Sequence, residues 1–336
     1  MIFEDNISYN MIGKIQFHTG CPTMVMLCGL PGSGKSTIAK EIKKANPLFP
    51  IKIHSSDALR QELYGDASQQ GDNGKLFEEL HRRIKEDLRA GHDVIYDATN
   101  IKSKERVSFL NSLSNIRCNK TCIVFATEYD ACIRNNHQRR REVPDEVIRR
   151  MYLNFTPPHY GEGFDQITYR FRYLSNGDSN TSTRPAYYSL NQFFEIANTF
   201  DQENSHHALT LGGHCTKCGE YIQQHAPDNF NLLIAALLHD VGKLYTKTRR
   251  NARGKCDGEC HYYQHHCCGA YESMFYLDNG EFSEEDICYI STMIYYHMHP
   301  FMSWEQSEKA KKRDEKLLGK WLDDVLILHD ADLYAH

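Results

Sequence analysis

Eight residues, Gly29-Leu30-Pro31-Gly32-Ser33-Gly34-Lys35-Ser36, read G-x-x-x-x-G-K-S. In such a loop the backbone N–H groups of Gly32, Ser33 and Gly34 close around phosphate oxygens, and a helix beginning at the loop adds positive potential. Lys35 would reach the β- and γ-phosphates, the Ser36 hydroxyl would hold Mg²⁺, and Thr37 completes the nucleotide-binding run. ATP or another nucleoside triphosphate with Mg²⁺ is the expected ligand. Asp57, after the short apolar run Pro50–His54, is placed to take a proton from a hydroxyl that attacks the γ-phosphate. Its bland alternative is to cap the helix Ala58–Leu63. Arg60, one turn on, would clamp an acceptor phosphate. Asp97 ends the apolar run Asp93–Asp97 and is the expected second carboxylate on the Mg²⁺ side. Arg134, Arg139, Arg140 and Arg141 form a cluster suited to a lid that offsets charge during phosphoryl transfer. The bland alternative is a solvated basic face.

A different chemistry is written in the second half. The helical run Leu232–Leu238 leads into His239-Asp240-Val241-Gly242-Lys243. His214 lies upstream, and His261-Tyr262-Tyr263-Gln264-His265-His266, His297-Met298-His299 and Asp330-Ala331-Asp332 lie downstream. Each block puts imidazole or carboxylate near a helix end, and together they suit Mn, Fe, Co, Ni or Zn. Such an ion activates water and polarises a phosphoryl oxygen, which makes phosphomonoesters and cyclic phosphodiesters natural substrates. Cys215 and Cys218 stand three apart on one helix face and read as small core hydrophobes rather than a zinc pair.

The elements that must position these residues follow from pattern. The apolar run Thr23–Cys28, the glycine loop and the helix from Thr37 make a strand–loop–helix unit. Leu76, Phe77, Leu80, Ile84 and Leu88 recur at helical spacing, with Gly91 as the stop. Lys120–Ala126 and Ile167–Tyr173 read as further strands, and Pro144 opens a helix. The first part is therefore α/β with a parallel sheet flanked by helices and an arginine-bearing lid. The second part reads as all-α. The expected boundaries are an extension over 1–20, a first domain over 21–174, a polar linker over 175–185 and a second domain over 186–336.

Charge divides along the same line. Of 39 Lys and Arg against 44 Asp and Glu, residues 1–185 hold 26 against 22 and the remainder 13 against 22. The second part also holds 12 of the 18 histidines. No apolar run reaches the ~18 residues of a membrane span. Met1–Asp5 carries no export signal, so a cytoplasmic protein with reduced thiols is expected.

Four motifs of the first part, G-x-P-G-S-G-K-S-T, S-D-x-L-R-Q, Y-D-A-T-N and R-R-R-x-V-P-x-x-V-I-R-R-M-Y, resemble the kinase domain of phage polynucleotide kinase and its relatives. The resemblance implies that Asp57 activates a polynucleotide 5′-hydroxyl, that Arg60 contacts the acceptor phosphate, and that Arg134 and Arg139–Arg141 belong to the lid. It also raises a phage-encoded origin. In the second part L-L-H-D-V-G-K and H-Y-Y-x-H-H-x-x-G-A-Y resemble the HD-domain metal phosphohydrolases. That resemblance implies His214, His239, Asp240 and Asp332 as core ligands. His265 with His297 or His299 would be a pair for a second ion, and Lys243 a substrate-phosphate contact. His207 competes with His214, and Asp330 with Asp332. The two resemblances imply an enzyme that heals broken RNA or DNA ends, phosphorylating 5′-hydroxyls and removing 2′- or 3′-phosphates, with a separate ligase as partner. The alternative is a metabolite or nucleotide kinase joined to a nucleotidase.

Overall fold

The computed structural model describes residues 17, 20–65, 71–139, 141–174, 185, 187–204 and 208–336. The expected extension and linker therefore fall almost wholly outside the described residues. The chain divides into two units, one of Met1–Arg149 with Glu162–Thr183, the other of Arg150–Gly161 with Arg184–His336.

The first unit is built on five parallel strands, β1 (Thr23–Cys28), β2 (Lys52–Ser55), β3 (Val94–Asp97), β4 (Asn119–Thr127) and β5 (Gln166–Arg172). Their order is β2-β3-β1-β4-β5. β1 is central and buried along its whole length, as expected of a strand covered on both faces. The helices between strands are α1 (Lys35–Ala45), α2 (Ser56–Tyr64), α3 (Asn73–Arg89), α4 (Ser103–Asn111), α5 (Tyr129–His137) and α6 (Asp145–Tyr152). Ile38, Ala39 and Ile42 of α1 pack with Val25, Leu27, Ile95, Ile123 and Phe125 of the sheet. In α3, Leu76, Leu80, Ile84 and Leu88 face the core, and Gly91 follows the helix with φ +83°. Because α2 begins at Ser56 with Ser55 as its cap, Asp57 lies within the first turn and is not the capping residue.

The second unit is mainly helical: α7 (Leu190–Ala197), α8 (Leu211–His225), α9 (Phe230–Leu238), α10 (Lys243–Thr246), α11 (His265–Leu277), α12 (Glu284–Tyr296), α13 (Glu308–Leu318) and α14 (Leu322–Ala335). α8 packs against α9 and α14, and α12 against α9 and α11. Every residue of α11 is buried. The all-α expectation needs one correction. β6 (Thr248–Arg250) and β7 (Cys256–His261) form an antiparallel hairpin. Its turn is set by the Asn251 carboxamide oxygen, which accepts from the Arg253 and Lys255 N–H groups at 3.0 and 3.1 Å, and by Gly254 at φ +75°.

Candidate active sites

The loop Gly29–Gly34 leaves the C-terminal end of β1 and runs into α1, so the first N–H groups of that helix open onto the loop. Gly32 and Gly34 have φ of +81° and +91°. A Cβ on Gly32 would also stand 2.2 Å from the Cys132 carbonyl oxygen. The loop is pinned from several sides. The Asn135 amide donates to the Gly32 carbonyl at 3.0 Å, the Thr127 hydroxyl to that of Ser33 at 3.3 Å, and the Gly29 N–H to that of Thr99 at 2.9 Å.

Lys35 is buried and donates through Nζ to the carbonyls of Gly29 and Leu30 at 3.0 and 2.7 Å. Burial pushes its ammonium below the ordinary value, while Asp97 opposes the shift. The Ser36 hydroxyl donates to Asp97 Oδ2 at 2.7 Å, which brings together the two groups expected on the Mg²⁺ side. A hydroxyl and a carboxylate oxygen in contact are hard donors that fit such an ion. Thr37 is exposed in the first turn of α1.

Parallel pairing sets Ser55 of β2 beside Asp97 of β3. Asp57, two residues further, therefore lies at the same C-terminal edge of the sheet, where open α/β folds place ligands. Its carboxylate is ringed by guanidinium groups: Arg141 Nη1 at 2.8 Å, Arg60 Nη1 at 3.3 Å and Arg139 Nη2 at 3.5 Å. Arg134 is exposed on α5, and Arg140 lies outside the described residues. Sequence reasoning grouped Arg141 with the lid but did not foresee its contact with Asp57.

Asn100 closes the Y-D-A-T-N motif but was assigned no role. It sits at φ +46°, donates to the Leu27 carbonyl at 2.9 Å and accepts at its own carbonyl from Arg106 Nη1 at 2.9 Å. Arg106 in turn makes a fully buried fork to Glu162 at 2.6 and 2.7 Å. The segment that carries Asp97 is thereby fixed against the loop strand.

The second unit gathers its histidines. His214 comes from α8, His239 and Asp240 follow α9, His265 opens α11, His297 follows α12, and Asp332 lies in α14. All are buried. His214 Nε2 is 3.2 Å from His239 Nε2, 3.0 Å from Asp332 Oδ1 and 3.5 Å from Asp240 Oδ2. His265 Nε2 is 3.3 Å from His297 Nε2 and 3.3 Å from Asp240 Oδ1. One oxygen of Asp240 thus faces each group.

Three of the imidazoles are oriented alike. Nδ1 of His239, His265 and His297 meets the carbonyls of Ala236, Tyr262 and Ile294 at 2.7, 2.8 and 2.6 Å. With that proton on Nδ1, Nε2 is left as a ligand atom. Burial, then His239 and His265, push His297 down to about 3, so it is neutral. Burial would raise the Asp240 carboxyl, but Lys243, 2.6 Å away, and His239 hold it well below the carboxylate range. Lys243 also donates to the buried Gln202 at 2.8 Å, a partner no motif announced. Buried imidazole nitrogens and carboxylate oxygens this close need a proton or a metal ion between them, and this donor set fits divalent metal.

The alternatives left open by the sequence fall differently. His299 turns to Asp314 at 2.9 Å, and Asp330 is exposed, while His207 lies outside the described residues. Cys218, read as core packing, has its thiol in the same group of donors as His214, His239 and Asp332. All twelve cysteines are free.

A family model described as an AAA domain matches residues 24–158. The L-seryl-tRNA(Sec) kinase of Methanococcus maripaludis is 28% identical over 143 residues, 40% of this chain. This chain spans 53% of that relative's length. Among solved structures, the Pnkp1/Rnl/Hen1 RNA repair complex is similar over 41% of this chain and 45% of that one, at TM-score 0.35 and 20% identity. A fungal RNA kinase is similar over 49% and 41%, at TM-score 0.37 and 14% identity. A gluconokinase from Sinorhizobium meliloti 1021 is similar over 45% and 82%, at TM-score 0.32 and 15% identity. The first unit is thus a parallel-sheet α/β fold carrying the region that the AAA-domain model matches, and the part that follows is mainly helical.

Proposed function

We propose that the first unit transfers the γ-phosphoryl group of ATP to a hydroxyl carried on a nucleic acid, the 5′-hydroxyl of a broken strand. The observation that supports it most directly is the shared sheet edge, with Ser36 bonded to Asp97 and Asp57 two residues past Ser55, which pairs with Asp97. Lys35 and the loop N–H groups would hold the β- and γ-phosphates, and Ser36 and Asp97 the Mg²⁺. Asp57 would take the proton of the attacking hydroxyl. Arg60 would bind the acceptor phosphate, and Arg139 and Arg141 would offset charge in the transition state. The curated relative is named as a kinase of an aminoacylated RNA, which favours an RNA-borne acceptor.

Label transfer from γ-labelled ATP to 5′-hydroxyl oligonucleotides tests the proposal. Asp57→Ala should lower kcat by about 10²–10⁴-fold with ATP binding retained. No transfer by the wild-type protein would end this reading. A small-molecule acceptor is the second reading, favoured by the modest excess of 26 basic over 22 acidic residues in the first 185. It predicts transfer to metabolites or nucleosides instead.

The second unit would act as a metal-dependent phosphohydrolase on 2′,3′-cyclic or 3′-phosphate ends. A divalent ion held there supplies Lewis acidity toward water and the phosphoryl group. His214, His239, Asp240, His265, His297 and Asp332 would hold one or two ions, and Lys243 would bind the substrate phosphate. Phosphate release from 3′-phosphate oligonucleotides in Mn²⁺ or Ni²⁺ is the assay. Its loss in Asp240→Ala would support the assignment, and an undiminished rate would refute it. The two activities on one strand would leave ends ready for a separate ligase.

A further inference from the structure

We infer that Cys218 is a metal ligand, and that one ion position is a four-donor set of His214, Cys218, His239 and Asp332. The inference rests on the metal centre proposed for the second unit and alters its composition. His214 and Cys218 stand one turn apart on α8, so their side chains project from the same face. The four candidate ligand atoms all lie within 4.8 Å of one another. Donors held about 2.0–2.3 Å from a shared tetrahedral ion stand roughly 3.3–3.6 Å apart. The pairs seen are 3.2 Å for His214–His239, 3.0 Å for His214–Asp332, 3.7 Å for His239–Asp332 and 3.9 Å for His214–Cys218. These four of the six pairs fall near tetrahedral spacing, and Cys218 lies within 4.8 Å of His239 and Asp332 as well.

The Cys218 thiol donates to the Ala331 carbonyl at 3.4 Å. On binding, the S–H bond breaks, the sulfur pair goes to the metal, and the proton leaves to solvent. The thiolate biases this position toward zinc and other borderline or soft ions and against Mg²⁺ and Mn²⁺. It also separates the roles of the two positions. The first has these four protein donors, with Asp240 Oδ2 facing it 3.5 Å from His214 and 3.4 Å from His239. Asp240, His265 and His297 make a three-donor position that leaves room for substrate, with Lys243 beside it.

Cobalt substitution of the full chain gives a readout independent of activity. Wild-type protein loaded with Co²⁺ should show a thiolate-to-metal charge-transfer band in the near ultraviolet. The band should be lost in Cys218→Ser and Cys218→Ala and kept in Cys215→Ser. Zinc retained against a chelator should be weaker in Cys218→Ser by at least about tenfold. Cobalt bound by the wild type with no such band overturns the inference and leaves the metal centre standing. So does a band unchanged in Cys218→Ser. A wild-type protein that binds neither zinc nor cobalt overturns both. Because the wild-type spectrum decides by itself, poor folding of a variant does not rescue the idea.

Discussion

Two glycines show how narrowly individual positions are constrained. Gly32 combines a left-handed backbone with a Cβ position 2.2 Å from the Cys132 carbonyl. Gly32→Ala must therefore shift either the loop or α5, and ATP affinity measured by calorimetry should fall at least about tenfold, since the loop N–H groups lose their aim. Gly242 follows the His-Asp pair, and a Cβ there would meet the His265 carbonyl at 2.0 Å. Gly242→Ala should push α11 away and cost about 1–3 kcal/mol in a denaturant melt, together with weaker metal binding at the proposed centre. At this scale the sequence was legible where a residue's chemistry recurs in a motif. Lys35 bonds back to the loop, Ser36 bonds Asp97, and His239 and Asp240 lie together just after α9. It was silent where a role depends on distant backbone. Nothing local distinguishes Cys218 from Cys215, and only the approach of α8 to α9 and α14 puts one thiol among donors.

At the scale of elements, buried ionic ties decide which segments can move. Arg106 of α4 is bonded to Glu162 with neither side chain exposed. Arg106→Met would strand the Glu162 charge and should destabilise the first unit by about 3–5 kcal/mol, read from urea unfolding. Asp314 of α13 holds a second tie, accepting from Trp304 Nε1 at 3.0 Å and from Arg313 Nε at 2.8 Å, with His299 at 2.9 Å. Burial would raise this carboxyl, but the bonds to His299, Arg313 and Trp304 hold it below the ordinary 3.8. Its folded pKa is depressed, so its stabilisation is present above that ordinary value and is lost as the pH falls through the folded value. The stability gap between wild type and Asp314→Asn should be about 1–3 kcal/mol at neutral pH and should close as the pH drops below that value. The same tie explains why His297 and not His299 joins the donors, a choice the spacing His-Met-His could not make. The β6–β7 hairpin escaped the sequence for a related reason. Its strands are short, polar and mostly exposed, so no apolar alternation marks them.

For the whole molecule, the two proposed activities imply separable losses. Asp57→Ala should lower label transfer about 10²–10⁴-fold and leave phosphate release intact, and Asp240→Ala should cut phosphate release alone. A pair of variants each losing both activities would argue for a single shared substrate site. Salt supplies a further check. If the acceptor is a polynucleotide, its apparent affinity should fall log-linearly with salt, at a slope of about −0.7 per phosphate contact for single strands. A metabolite acceptor would show almost no slope. The division into a phosphate-loop part and a histidine-rich helical part was legible from charge and residue type.

The path of the chain between the parts was less so. Arg150–Gly161 groups with the second unit, after which the chain returns to the first for β5. Tyr152 bonds Glu272 at 2.5 Å, and the Phe155 ring meets Tyr271 edge-on at 4.9 Å between centroids. These twelve residues are therefore shared property in a genetic sense. A gene cut at the polar linker would not yield the helical unit whole. A fragment of 186–336 should be poorly soluble, with the Tyr271 face uncovered, and should be rescued by co-expressing the missing segment in trans. By the same token the protein does not read as two finished genes joined end to end, because the first unit is completed only after the chain has already supplied part of the second.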